Sequence, residues 1–349
     1  MNRQSLVDAF READTWRTFV VEAHPADGPA SLITEAFSDL GSVTRTDDRY
    51  LHIVDVGQGQ TFFIDHLDGR FWRAHTTMTK EDGKRLLGGV VGTRTDLDWM
   101  WLPSAHLEDT WPGARTRSIR TAFNRQRLQP GSAELRDLNL QIGGTSAEDI
   151  VALIAGHHSG AVPFATTTVE VEDPDFGRIV EGLDRRGFFT ARLGDLAFHA
   201  AYVRRVVDRY RHLVEALEAR AIRWDSLLDG GARIDGSAIT IEFSVPIEDM
   251  NDFVSGLFSS REPFRLWGLP TEVASDVVEV QAVDLHVGQP LRFQIGDTWL
   301  RVFLFEGGCG NSVARLICNL QHHHDGALRV ADPQLHELVA TSTTQEILS

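Results

Sequence analysis

The sequence predicts an α+β protein made of three divergent copies of one β-α-β(3-4)-α unit, each an antiparallel sheet covered by helices on one face. Three observations predict it. Short segments alternate apolar and polar residues with a period of two, as half-buried strands do. Stretches with apolar residues three and four apart follow them, as amphipathic helices require. The same order, with a two-residue Gly/Asp hairpin turn near its end, recurs along the chain at comparable spacing.

The last copy reads most clearly. Ala238–Val245 alternates and is rich in β-branched residues, so it is expected as a strand. Ile247, Met250, Phe253, Val254, Leu257 and Phe258 fall at helical spacing, with Glu248, Asp249 and Asp252 near the helix start, where the macrodipole favours acids. Strands are expected at Phe264–Leu269, Val277–Leu285, Leu291–Ile295 and Thr298–Phe305, the last two joined by Gly296-Asp297. Val313, Leu316, Ile317 and Leu320 mark a closing helix.

In the middle copy, strands are expected at Leu138–Ile142 and Thr166–Glu172, with a helix around Ile150–Ile154. Phe188–Leu193 and Leu196–Tyr202 flank Gly194-Asp195 and read as a hairpin, followed by a long apolar stripe from Val203 to Leu217. The first copy has a strand at Thr18–Ala23, a helix through Leu32–Leu40, and strands at Tyr50–Val56, Thr61–His66 and Arg70–Thr77. Thr79 with Asp82 has the form of a capping box ahead of Leu86, Leu87, Val90 and Val91. The expected organisation is 1–95 and 136–222 and 237–330 as the three copies, 96–135 as a Trp/Arg-rich linker, and 331–349 as a C-terminal tail. This element order resembles the TATA-binding-protein-like topology, a resemblance of order alone that carries no residue and no activity with it.

A formal net charge of −16 repels phosphate backbones at long range, so nucleic acid is a disfavoured partner unless a local basic face outweighs the total. Only Cys309 and Cys318 occur, too few for a disulfide framework. The first sixteen residues carry acids and no apolar run, unlike a signal peptide, and no stretch approaches the roughly 20 apolar residues of a membrane span. A cytoplasmic protein with no membrane contact is expected.

The candidate residues are few. Arg115, Arg117, Arg120, Arg125 and Arg127 reverse the local charge; a helix would bring Arg117, Arg120 and Arg127 near one face, suited to phosphates or acidic protein surface, while the plainer alternative is local ion pairing. Trp99, Trp101 and Trp111 need a buried contact, either with a neighbouring copy or with a partner. Cys309, between Gly308 and Gly310, sits in a Gly-rich loop entering a helix, a place that can activate a thiol or hold an anion but also serves as an ordinary turn. His322, His323 and His324 are weak metal candidates, because adjacent helical residues point apart; solvated helix-end histidines are the plainer expectation. Gly57-Gln58-Gly59 reads as a hairpin loop, and no motif for a cofactor or a hydrolase is legible. The residues point first to a non-catalytic binding or scaffold protein acting through a protein partner or self-association. Nucleic-acid binding through Arg115–Arg127 comes second, and an enzyme using Cys309 or a histidine-bound metal third.

Overall fold

The computed structural model describes residues 3–108, 110–131, 138–144, 146–147, 149–150, 153, 162–193, 195–226, 232–274 and 276–340. The fold is α+β with antiparallel sheets and eight helices among the described residues. It divides into two compact units. Unit 1 comprises Met1–Met100, Thr110–Arg117 and Thr167–Val207; unit 2 comprises Trp101–Asp109, Ser118–Thr166 and Asp208–Ser349.

Unit 1 opens with α1 (Arg3–Glu12), β1 (Trp16–Ala23), α2 (Pro29–Phe37), β2 (Ser42–Arg45), β3 (Leu51–Gly57), β4 (Gln60–Asp65), β5 (Phe71–Thr76), α3 (Lys80–Thr93) and β6 (Leu97–Trp99). It also takes the start of β7 (Arg115–Phe123), most of β9 (Phe164–Asp173), β10 (Gly177–Asp184), β11 (Phe188–Leu193) and the first half of α5 (Leu196–Glu218). The strand order is β2-β3-β4-β5-β1-β11-β10-β9-β7, with β6 also on β1. β1 is the hub. It pairs along its length with β5, and its other edge passes from β11 to β6.

Because strand side chains alternate between faces, β1 feeds two cores. One face carries Trp16 and Thr18, with Phe63 and Ala191 from neighbouring strands. Leu6 of α1 packs there in a cluster with Trp16, Leu51, Ile53, Phe63 and Ala191. The other face carries Phe19 and Val21. There α3 approaches so closely that a Cβ on Gly83 would lie 2.7 Å from the Phe19 ring. Thr79 caps α3 by accepting the Asp82 backbone N–H and donating its hydroxyl to the Asp82 carboxylate, 2.7 Å away.

Two local expectations are corrected. Leu196–Tyr202 is the first part of helix α5, not the second arm of a hairpin. Its brief alternation was accidental, since Phe198 and Tyr202 continue at helical spacing into Val206, Tyr210 and Leu213, all buried. Asp195 starts the helix, its carboxylate accepting the Ala197 N–H at 2.6 Å. The hairpin lies one step earlier, between β10 and β11, where Gly187 takes a positive φ of 73°. Arg115–Arg127 is likewise not helical: it is β7 followed by a single 3-10 turn at Arg125–Arg127. The helix expected through Ile150–Ile154 falls mostly outside the described residues.

In unit 2, β8 (Leu138–Gly143) pairs with Ser118–Phe123, and α4 (Ser104–Glu108) is buried. The stretch 221–236 holds a two-stranded ribbon, β12 (Arg223–Ser226) and β13 (Ala232–Asp235). Then come β14 (Ile239–Glu242), α6 (Met250–Leu257), β15 (Leu266–Ala274), β16 (Val277–Asp284), β17 (Pro290–Gly296), β18 (Trp299–Leu304), α7 (Gly310–His323), β19 (Arg329–Val330) and α8 (Pro333–Val339). Their sheet runs β15-β16-β17-β18-β14-β19. A four-strand meander whose last strand returns beside a strand that precedes the meander is therefore present twice, as β2–β5 against β1 and as β15–β18 against β14. α7 is buried on every side, which demands internal partners for its polar residues. Arg315 finds them in the Asp284 carboxylate and the Phe264 carbonyl.

Candidate functional site

The arginines singled out in the sequence are engaged within their own units. Glu170, with its side chain 3% exposed, accepts Arg115 at 2.7 Å, Arg117 at 3.2 Å and Arg178 at 3.0 Å. The hydrogen bond from Arg178, then that from Arg115, holds the Glu170 carboxyl below its ordinary range. In unit 2, Arg120 reaches the Asn139 side-chain oxygen at 3.3 Å. Arg125 is buried on Glu248 and the Pro246 carbonyl, both at 3.1 Å, and Arg127 donates to the Glu262 carbonyl. On a strand, Arg115 and Arg117 share one side and Arg120 takes the other, so no single basic stripe forms.

The tryptophans pack inside their units. Trp99 meets Phe188 edge-on with centroids 4.8 Å apart, and Trp111 lies 4.7 Å from Phe198. Trp101 is buried, its backbone N–H donated to the Tyr210 hydroxyl. The Gly-rich loop is also filled. Cys309 is buried, and the Gly310 N–H at the start of α7 donates to the Glu218 carboxylate at 2.9 Å. A Cβ on Gly310 would stand 2.3 Å from the Val214 carbonyl oxygen, and one on Gly308 would stand 2.5 Å from the Leu304 side chain. The anion-binding end of α7 thus already holds an internal anion.

The three histidines diverge, and the expectation of solvated helix-end rings is corrected. His322 and His324 are buried. The His322 and His323 Nδ1 atoms bond the carbonyls of Ala122, at 2.6 Å, and Asn124, at 3.0 Å. The His324 ring is wedged edge-on between Phe243 and Phe253, and burial lowers its pKa to about 3.

Two arrangements were not foreseen. The first is a buried polar chain in unit 1 joining Glu181 of β10, His199 of α5, Thr18 of β1 and His75 of β5. The His199 Nδ1 lies 2.9 Å from Glu181, its Nε2 lies 2.7 Å from the Thr18 hydroxyl, and that hydroxyl lies 2.8 Å from the His75 Nδ1. A carboxylate can only accept, so His199 presents Nδ1–H to Glu181 and leaves Nε2 to accept the Thr18 O–H. Thr18 in turn accepts from His75 Nδ1–H. Every proton position is then used in one direction. The Trp16 ring lies 6.0 Å from His75 and the Phe10 ring 6.1 Å from His199. The same two aromatics line a cleft of about 290 Å³, with Arg11, Asp14, Arg192 and Asp195 among its other walls. Thr18 and His199 are 181 positions apart, so only the fold brings the set together.

The second arrangement is the outer side of β15, an edge strand of unit 2. Trp267, Leu269 and Val273 are 47%, 60% and 55% exposed; Trp267 and Leu269 share the side opposite buried Leu266, and Val273 lies where the pairing with β16 is irregular. The intervening Gly268 faces inward, where a Cβ would meet Val280 at 2.6 Å. Beside this file, Arg292 spans Glu279 and the Phe303 ring, and Arg301 covers Trp299. A strand was expected at Phe264–Leu269; that it runs on to Ala274 and leaves these side chains exposed was not legible.

These features define an α+β protein with antiparallel sheets and an edge strand that exposes apolar side chains beyond a short pairing with Ser259–Ser260. No helix among the described residues is long and apolar enough to cross a membrane. The chain belongs to the MJECL33-like protein family, whose model matches residues 10–339. It is similar to the uncharacterized protein MJECL33 of Methanocaldococcus jannaschii, with 24% identity over 90% of this chain and 85% of that protein. No solved structure matches it.

Proposed function

We propose that the chain is a non-catalytic binding protein, and that unit 2 receives an extended segment of a protein partner along β15. The observation that carries this reading is the file of Trp267, Leu269 and Val273 on an edge strand. Natural edge strands are usually blunted by charge or cover, because free backbone groups beside exposed apolar side chains invite another strand to pair. Here the blunting is slight: Glu272 is the one charge within β15, Pro270 removes one donor, and Ser259–Ser260 pairs with the first residues alone. The matching strand orders of β1–β5 and β14–β18 support reading the chain as divergent copies of one unit, in keeping with a scaffold. The nucleic-acid alternative has less support, since the arginines it needs are committed to Glu170, Glu248 and backbone carbonyls. A cytoplasmic setting fits two buried cysteines that form no disulfide.

The test is a photo-crosslinking residue placed at position 269 in cells that make the protein. A discrete protein adduct is expected, absent when the same residue stands at exposed Glu215 and lost when Trp267→Ser is added. An adduct at both positions, or at neither, overturns the proposal.

A second reading rests on one observation, the Glu181–His199–Thr18–His75 chain beside the cleft. A carboxylate that orients a histidine toward a hydroxyl is the arrangement that moves protons in acyl-transfer sites. Thr18 is fully buried, so unit 1 would have to open between Phe10 and Trp16 for chemistry to reach it. Labelling of Thr18 by an acylating probe, abolished in His199→Gln, would favour this reading over the first.

A further inference from the structure

A different pair of histidines in unit 1 has the chemistry of a ligand set. His52 of β3 and His66, just past β4, lie on the same sheet face as diagonal neighbours: His52 stands opposite Ile64, and the His66 N–H bonds the Tyr50 carbonyl. Their rings are 5.2 Å apart and inclined at 42°, and they are 2% and 7% exposed. Tyr50 and Trp72 flank His66 at 5.9 and 6.1 Å. A buried polar group without a partner is costly, so such groups are nearly always satisfied. Yet neither ring nitrogen of His52, nor the Nε2 of His66, has a hydrogen-bond partner among the described residues. The other nitrogen of His66 is tied to the backbone at Arg49. That is the arrangement found behind metal-bound histidines: one N–H anchored on a carbonyl, which fixes the tautomer and leaves the opposite lone pair free.

We propose that His52 and His66 form a two-coordinate site for a soft monovalent d10 cation, Cu(I). Neutral imidazoles suit copper and zinc, and the number of ligands decides between them. Zinc is almost always held by three or four protein ligands. Among the described residues, no third histidine, cysteine or carboxylate converges with this pair. Two buried nitrogen donors beside the Tyr50 and Trp72 rings match an ion content with two-fold coordination.

The full chain, kept reduced and anaerobic, would be titrated with Cu(I) against a chromophoric Cu(I) chelator, and the copper-loaded protein examined by X-ray absorption. One equivalent is expected in a first shell of nitrogen alone. His52→Gln and His66→Gln should each weaken binding at least tenfold, with His323→Gln as the unchanged control. A sulfur-containing first shell, absence of tight binding, or variants that bind like the parent would each overturn the proposal. The absorption spectrum of the unsubstituted protein decides the matter even if a variant fails to fold.

Discussion

Several histidines of this protein are stored neutral inside it. Burial lowers His106 and His324 to about 3, and His52 to about 4. In the unfolded chain each would titrate near 6.5. Between these limits the unfolded state binds more protons than the folded state, so stability rises with pH across that window and is level above it. Lowering the pH from 7.5 to 5 is therefore expected to destabilise the fold by about 1.4 kcal/mol per unit below 6.5 for each such histidine. Urea midpoints at the two pH values check this; a midpoint that does not fall on acidification would contradict it. Thr18 offers a test of the polar chain. Thr18→Val keeps the shape but leaves the His199 Nε2 and His75 Nδ1 facing a methyl group, at a cost of about 2–5 kcal/mol from two unmet polar groups. A loss below about 1 kcal/mol in the unfolding free energy would show that the chain holds little together. None of this was visible in the sequence, where a lone Thr on an alternating strand reads as an outward-facing residue. Its polarity makes sense only once α5 covers it.

At the level of single elements, legibility followed the range of the forces involved. Thr79 and Asp82 are three residues apart, and their mutual capping was read correctly because all of its chemistry is local. Thr79→Ala should cost about 1 kcal/mol, measurable in the unfolding midpoint, with Thr79→Ser nearly neutral. The hairpin expected at Gly296-Asp297 is present, but its turn is Asp297-Thr298, one residue later, because Gly296 still pairs with Trp299. The start of α5 was misread because five or six residues of alternation can occur by chance within a helical pattern. Tertiary burial of Phe198, Tyr202 and Val206 decided the matter. The arginine segment shows the same limit. Its charge was plain, but its partner Glu170 lies 55 positions from Arg115, too far for sequence spacing to reveal the pairing.

For the molecule as a whole, the α+β class was legible, whereas the division into units drawn from discontinuous stretches was not. Unit 1 takes segments from three parts of the chain because the free edge of β1 is completed by β11. A fragment ending at residue 100 contains β1 to β6 but lacks both β11 and His199. It is expected to remain unfolded by amide exchange, whereas a fragment of the same length that protected its β1 amides would show that the first hundred residues suffice. The net charge of −16 and the engagement of Arg115, Arg117, Arg125 and Arg127 in internal contacts also bear on partners at this scale: any acidic ligand would have to displace bonds already made.

The late arrival of β11 has a consequence for synthesis. While the ribosome is still making the middle of the chain, β1 has emerged with one edge open and Trp16, Phe19 and Val21 beside it. That edge cannot close until the segment around residue 190 has cleared the exit tunnel. The nascent protein therefore passes through an interval in which a strand that is almost wholly buried in the finished fold is exposed. Its yield in the cell should depend on how quickly translation crosses that stretch and on which holding factors attend it.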